Sequence, residues 1–153
     1  FYSAYLYLHF ANYYVEQGLN GFANWYQVQA QEERDHALLF VQYLQNNDAP
    51  VTYEAIDKPE TALNSHMDAL KAGLAHEQYV TELIHQIYDA ANEVKDYRSM
   101  QFLDWFVKEQ GEEETNASDL IKKMELFGSD AKGLYMLDQE LAARTYTAPS
   151  LTL

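Results

Sequence analysis

The chain has 153 residues, with 24 Asp and Glu against 10 Lys and Arg, which gives a formal net charge of −14. The length predicts one domain with a buried core, and the apolar fraction of 48% argues against disorder despite the charge. The carboxylate excess argues against nucleic acid as a partner, because phosphate contacts need clustered Lys and Arg, and it favours cations. The lack of cysteine excludes a disulfide scaffold, a thiolate metal site and a cysteine nucleophile.

From the sequence of residues 1–153 we expect neither a membrane span nor an export signal. No run of about 18 apolar residues occurs, so we predict no membrane span and no membrane partner. The aromatic-rich stretch 1–15 lacks the basic start and the cleavage site of a signal peptide. We therefore expect a cytoplasmic location, with which a cysteine-free chain agrees. Because Phe1 lies in the middle of a helical pattern, we also expect further residues upstream of it in the native protein.

Helical patterns separated by Gly, Pro and Asn fill most of the chain. We predict helices over residues 1–17, 19–45, 61–94, 96–127 and 131–144, followed by an irregular tail over 145–153. Gly18 closes the first helix, and Asp96 is the expected N-cap of the fourth. The pattern predicts an all-α fold, a four-helix bundle with a short fifth C-terminal helix, in a single domain over residues 1–153.

The connection between the second and third helices is the longest in the chain. Residues 47–60 can extend to roughly 46 Å at ~3.3 Å per residue. A helix of ~27 residues is about 40 Å long. Such a loop can therefore run the full length of the bundle, which predicts two antiparallel helix pairs joined by one long crossover.

Carboxylates interrupt the apolar stripes of three long helices at the positions where core residues are expected. Glu33 and His36 share one face of the second predicted helix, because they are three residues apart. Glu77 interrupts the third stripe, and Gln110 and Glu113 interrupt the fourth. Unpaired buried carboxylates are costly, and the stripes contain no Lys or Arg to compensate them. A bound metal pair would supply the positive charge, and ligation by oxygen with one imidazole suits iron.

Each of these features has a simpler explanation when it is taken alone. A Glu-x-x-His pair occurs by chance on many helix surfaces, and a lone Glu in an apolar stripe can reflect a misdrawn stripe. The run 110–114 is the kind of segment that is usually a solvated, charged surface, and Tyr7 is more often a core residue than a redox participant. The joint occurrence on three helices, each time near the middle, favours a metal centre.

The chain resembles the bacterial non-haem ferritins over essentially its whole length. Five blocks carry the resemblance, with matching spacings: FYSAYLYL (1–8), AQEERDHA (30–37), AHEQYVTE (75–82), QFLDWFVKEQGEEE (101–114) and GLYMLDQELA (133–142). The resemblance implies iron storage with ferroxidase activity. Fe(II) would be oxidised by O₂ or H₂O₂ at a dinuclear iron centre inside the bundle, and Fe(III) mineral would be deposited inside a hollow shell of 24 subunits.

The resemblance also implies roles for individual residues. Glu33 and His36 would bind the first iron, and Glu33 would bridge to the second, which Glu77 and Glu113 complete. Gln110 would lie beside the centre and assist oxygen or water binding. Members of the family also have a first-helix Glu ligand, whose matching position falls immediately before Phe1.

Three further acids are implied in a neighbouring third iron site. Together with Glu113 they would form its ligand set, and they are Glu32, Glu109 and Glu112. Tyr7 matches a tyrosine close to the centre, and Trp105 matches a nearby tryptophan.

Related di-iron proteins differ from this sequence at diagnostic positions. Bacterioferritin carries a second Glu-x-x-His motif where this chain has Gln110 and Glu113, and a haem-binding Met where it has Arg34. We therefore expect no haem. Rubrerythrin needs four Cys for its rubredoxin-like site. The alternatives left open are a bacterioferritin-like protein, a small di-iron oxidase without storage, a passive iron shell and a metal-free structural bundle.

Overall fold

Five α-helices make up the computed structural model, which describes all 153 residues. Their bounds are α1 (Tyr2–Glu16), α2 (Asn20–Asn46), α3 (His66–Glu93), α4 (Tyr97–Phe127) and α5 (Ala131–Ala142). There is no strand, so the predicted all-α class is confirmed. None of the helices combines the length and the apolar character that crossing a bilayer requires.

The long helices form two pairs, α1 with α2 and α3 with α4, and α5 packs on α2 and α4. Gly18 has a positive φ of 76°, which permits the sharp reversal between α1 and α2. The Tyr88 hydroxyl donates to Asp104 at 3.0 Å, and the Gln110 amide donates to Glu77 at 3.1 Å. Positions later in α3 thus meet positions earlier in α4, so this pair is antiparallel.

The crossover between α2 and α3 runs alongside α1, as its length predicted. The rings of Phe1 and Tyr53 lie 6.4 Å apart. Farther along, the His9 imidazole lies 3.2 Å from the carbonyl oxygen of Thr61. The loop therefore follows α1 from its first residue towards its C-terminal half, and α3 begins beside the C-terminal end of α1.

The prediction that the third helix begins at residue 61 is wrong, because α3 begins at His66. Ser65 is extended, with φ of −145° and ψ of 159°. The Asp68 carboxylate accepts hydrogen bonds from the backbone N–H groups of Asn64 and Ser65, at 2.8 and 2.9 Å. This capping box fixes the first turn of the helix. At the other end of the chain, α5 ends at Ala142, two residues before the predicted end.

The core consists of two apolar clusters at different heights of the bundle. The larger cluster contains 16 buried residues, and its aromatic members include Tyr14, whose ring stacks on Phe22 at 5.0 Å and on Tyr26 at 5.8 Å. The smaller one is formed by four buried residues: Ile84, Phe102, Leu103 and Phe106. On α2, α3 and α4 a set of buried polar side chains lies between the two clusters.

Candidate metal centre

A layer of buried polar side chains crosses the middle of the bundle, and we call it the central polar layer. All of its members are at most 8% exposed, and they are Glu33, His36, Glu77, Gln110 and Glu113. They come from α2, α3 and α4. The polar residues that interrupt the three apolar stripes in the sequence therefore face the interior of the bundle. They lie at the same height along its axis, between the two apolar clusters.

Glu77 is the most deeply buried acid of this layer. The Tyr7 hydroxyl donates to one of its carboxylate oxygens, and the Gln110 amide donates to the other at 3.1 Å. Burial, and then the charges of Glu33 and Glu113, raise the pKa of Glu77 to about 8, although both hydrogen bonds oppose the shift. Without a cation, this carboxyl therefore retains a proton at neutral pH.

Glu113 faces the layer from α4. Its carboxylate accepts a hydrogen bond of 2.9 Å from the side-chain amide of Gln29. Burial raises the pKa of Glu113 to about 7; the Gln29 hydrogen bond lowers it, and the charges of Glu33 and Glu32 raise it. At neutral pH Glu77, and Glu113 in part, therefore hold protons that a bound cation would displace.

The Glu33 and His36 pair lies one turn apart on α2. The imidazole Nδ1 is 3.1 Å from a carboxylate oxygen of Glu33. Burial alone lowers the pKa of His36, but the hydrogen bond and charge of Glu33, together with the charges of Glu113 and Glu109, outweigh it, so the pKa is raised. The indole of Trp105 packs edge-on against the imidazole, with ring centroids 5.4 Å apart. These contacts fix the ring orientation of His36.

Three carboxylates and one imidazole are a donor set of hard oxygen atoms and one nitrogen, which suits iron or manganese. Each acid of this set bonds to a tyrosine, amide or imidazole of the protein. No group of three or more His, Asp or Glu side chains is spaced to enclose a metal ion. Metal binding would therefore require small rotations of these side chains away from their present partners.

Comparison with known proteins identifies the family of this chain. Residues 1–127 match the family model for the ferritin-like domain. The chain belongs to the ferritin-like family. It is 37% identical to a bacterial non-heme ferritin of Staphylococcus saprophyticus over 146 residues, which are 95% of this chain and 87% of that relative. The corresponding protein of Staphylococcus aureus (strain USA300) is 33% identical over the same share of this chain and 88% of its own.

Solved ferritin structures have the same fold as this chain. An open-pore ferritin from the archaeon Archaeoglobus fulgidus matches with a TM-score of 0.92 and 40% identity, covering 94% of this chain and 89% of that one. A closed form of that ferritin, made by site-directed mutagenesis, matches with a TM-score of 0.93 and 40% identity, covering 95% and 89%. The predicted bundle and the resemblance to ferritins are therefore confirmed.

The acids predicted for a third iron site are only partly brought together in this ferritin-like chain. Glu109 has a carboxylate oxygen 3.9 Å from Nε2 of His36. Glu32 is 16% exposed and forms an ion pair of 2.6 Å with Arg144. Glu112 points into solvent, 61% exposed, beside Lys108 at 3.5 Å. Since Glu112 is a neighbour of Glu113 in sequence, it points about 100° away around the helix, which turns it outward.

A cavity of about 770 Å³ reaches the central polar layer of this ferritin-like chain. Its wall includes Glu33, His36 and Gln110 on one side and the crossover residues 51–57 on the other. Most of the remaining wall is apolar, with Phe40 among its members. The cavity offers a route by which small molecules can approach the layer.

Three contributors to the site do not follow from the motifs. Gln29 is a polar residue one turn before Glu33 on the same face of the helix, but its position in the sequence does not reveal its bond to Glu113. Thr81 lies 3.4 Å from the Gln110 amide and donates to Glu114 at 2.6 Å. No sequence pattern singles out Arg144, which is the last residue of the predicted fifth helix and lies two residues beyond the end of α5 in the structure.

Proposed function

We propose that this chain oxidises Fe(II) with O₂ or H₂O₂ at the central polar layer and stores the Fe(III) product inside a shell of 24 copies. The observation that carries the proposal is the burial of Glu33, Glu77 and Glu113 at one level without an ion pair to Lys or Arg. Membership of the ferritin-like family supports the same activity. Residues 1–153 would act as one ferritin-like domain, in the cytoplasm.

In this proposal two Fe(II) ions are the substrates, and the layer supplies their ligands. Glu33 would bridge the pair, with His36 on one iron and Glu77 and Glu113 on the other. Binding would displace the protons that burial keeps on Glu77 and Glu113. Each Fe(II) gives up one electron, so a pair reduces one O₂ to H₂O₂ with the uptake of two protons.

Two neutral side chains would prepare the site for that step. The Tyr7 hydroxyl donates a hydrogen bond to one carboxyl oxygen of Glu77 and the Gln110 amide donates to the other, so the two together hold this side chain in place. Tyr7 would thus be a positioning residue for Glu77. Gln110 also lines the cavity of about 770 Å³, where its amide would orient water or the oxidant. No haem is part of this proposal, and Arg34 bonds Asp35 at 2.8 Å.

The shell would be held together by apolar side chains that the single chain leaves exposed. Tyr79, Leu83 and Ile87 recur every four residues on the outer face of α3 and are exposed. Tyr135 and Met136 of α5 are exposed as well. Such stripes are typical of surfaces that become buried on association. The α5 helices would line the fourfold channels of the shell.

Stopped-flow absorbance after mixing the metal-free protein with Fe(II) and O₂ tests the enzymatic part. We expect a rapid Fe(III) signal from the wild type, at least about 100-fold slower in Glu33→Ala because the bridging ligand is removed. Glu125→Ala, which removes an exposed acid from α4, is the matched control and should react at the wild-type rate. A wild-type signal no faster than that of Glu33→Ala would exclude a ferroxidase and leave a passive iron shell.

The cavity favours a second candidate, a small di-iron oxidase that acts on an organic substrate. Its volume of about 770 Å³ and its mostly apolar wall are typical of small-molecule sites. Such an enzyme would work as a monomer or dimer, whereas storage needs the large shell. Light scattering coupled to size exclusion distinguishes the two, because a 24-subunit particle supports storage and a stable monomer or dimer supports the oxidase.

A further inference from the structure

The residues after α5 lie against the bundle beside the central polar layer. We call residues 143–153 the C-terminal strap. The side-chain amide of Asn24 donates to the Arg144 carbonyl at 3.0 Å, and the Tyr146 hydroxyl donates to the Asp35 carboxylate. Near the end of the strap, the Trp105 indole N–H donates to the Ser150 hydroxyl at 3.0 Å. The strap therefore crosses from α2 to α4, with Arg144 at its start.

Arg144 is held in place on three sides. One guanidinium nitrogen lies 2.6 Å from a carboxylate oxygen of Glu32, and another donates to the Trp25 carbonyl at 3.3 Å. Its guanidinium carbon lies 4.0 Å from the centre of the Trp25 ring. Both side chains of the ion pair are under one-fifth exposed, so solvent screens this pair less than a surface pair.

Glu32 lies where several negative charges converge. Its sequence neighbour Glu33 is a buried acid, and Glu109 has a carboxylate oxygen 3.9 Å from Nε2 of His36, one turn farther along α2. Arg144 forms its ion pair with Glu32 beside these acids. Arg144 therefore brings a positive charge from the strap to Glu32, one of the acids that the family resemblance assigns to a third metal ion.

We propose that the Arg144 guanidinium neutralises Glu32 in the place of a metal ion. A third metal ion can then bind Glu32 only when Arg144 and the start of the strap are displaced. Two metal ions would bind the central polar layer with the strap in place. A third ion would bind more weakly, because it competes with a fixed positive charge for one carboxylate and disrupts the strap contacts. The inference rests on the proposed function, because a third ion has meaning only beside a dinuclear centre.

Anaerobic equilibrium dialysis with Fe(II) measures the binding events of wild type and Arg144→Gln. The variant keeps a hydrogen-bonding side chain and removes the charge, so we expect the third ion to bind at least about tenfold more tightly. Lys123→Gln is the matched control, because it removes one charge from an exposed ion pair with Glu140. Its third-ion affinity should equal that of the wild type. Glu32→Gln added to Arg144→Gln should abolish the gain.

Hydrogen exchange on the wild type tests the strap directly and depends on no variant. Residues 143–153 should exchange faster when the third Fe(II) is added, with no change on addition of the first two. Unchanged third-ion affinity in Arg144→Gln, or unchanged exchange of the strap, would overturn the proposal. The first two binding events report separately on the proposed function, because Glu33→Ala should abolish them and Arg144→Gln should leave them unchanged.

Discussion

The hydroxyl of Tyr7 donates a hydrogen bond to the carboxylate of Glu77, joining α1 to α3 in the interior of the bundle. Both side chains are almost completely buried, at 1% and 2% exposure. Burial and the charge of Glu77 raise the pKa of Tyr7 well above its ordinary value, so the phenol remains a donor at every physiological pH. The bond fixes the orientation of an acid that has no ion-pair partner.

Tyr7→Phe should therefore misplace Glu77 and slow Fe(II) oxidation. We expect a loss of about 1–3 kcal/mol in the free energy of unfolding, because the buried carboxyl group of Glu77 loses a hydrogen-bond partner. Chemical denaturation measures that loss, and stopped-flow absorbance measures the rate. Tyr26→Phe is the matched control, since its buried hydroxyl donates to the Ala69 carbonyl at 3.2 Å and leaves Glu77 untouched. Equal rate losses in both variants would contradict the role of Tyr7.

The metal-free protein should lose stability as the pH rises from about 5 to 8. The pKa values of Glu77 and Glu113 are raised from 4.5 to about 8 and about 7, so the folded chain retains protons that the unfolded chain releases. Their contribution is complete below pH 4.5 and is lost as the pH passes through the folded-state values. Each group contributes up to about 1.4 kcal/mol per pH unit within its window.

Denaturant titrations of wild type and Glu77→Gln at several pH values measure this effect. The neutral amide cannot ionise, so the variant should have the flatter pH profile and the higher free energy of unfolding at pH 8. His76, whose pKa burial lowers, acts in the opposite direction around neutral pH, but it does so in both proteins. Parallel profiles in the two proteins would contradict the shifted pKa of Glu77.

Asp138 of α5 should stabilise the start of α2. Its carboxylate accepts hydrogen bonds from the backbone N–H groups of Gly21 and Phe22, at 2.7 and 3.1 Å. The N-cap residue, Leu19, has no side chain that could do so. Asp138→Ala should cost about 1–3 kcal/mol by thermal or chemical denaturation, because buried donors lose their acceptor. Asp138→Asn retains an acceptor oxygen, so it should lose less of the free energy of unfolding than Asp138→Ala. A smaller loss in Asp138→Ala than in Asp138→Asn would contradict the capping role of Asp138.

Gly111 should be replaceable with a gain in stability. It lies in the interior of α4, and a Cβ atom built on it meets nothing within 4 Å. Gly111→Ala should therefore raise the free energy of unfolding by about 0.5–1 kcal/mol. Gly21→Ala is the contrasting variant, because its Cβ would lie 1.7 Å from the Asp138 carbonyl oxygen. The melting temperature should rise in Gly111→Ala and fall in Gly21→Ala. A lower melting temperature in Gly111→Ala would indicate that the backbone beside the centre needs the conformational freedom of glycine.

Local sequence patterns were sufficient for the helices and for most of the central polar layer. Glu33 and His36 share a face because the α-helix has 3.6 residues per turn, whatever the rest of the chain does. Asp96 caps α4 through Ser99, three residues away, as the sequence predicted. The start of α3 at His66 was predicted wrongly, although its signal is local, since the capping box joins Ser65 to Asp68 within four residues.

Contacts between residues far apart in the chain were decided only by the tertiary structure. The carboxylate of Asp138 reaches Gly21 across 117 positions, and Arg144 reaches Glu32 across 112. The amide of Gln29 reaches Glu113 across 84. Helical periodicity shows which side chains face inward, but their partners depend on how the helices pack, which no local pattern encodes. The sequence by itself thus determined a buried acidic layer within a helical bundle, and the packing decided which donors hold each carboxylate and where the strap's cation lies.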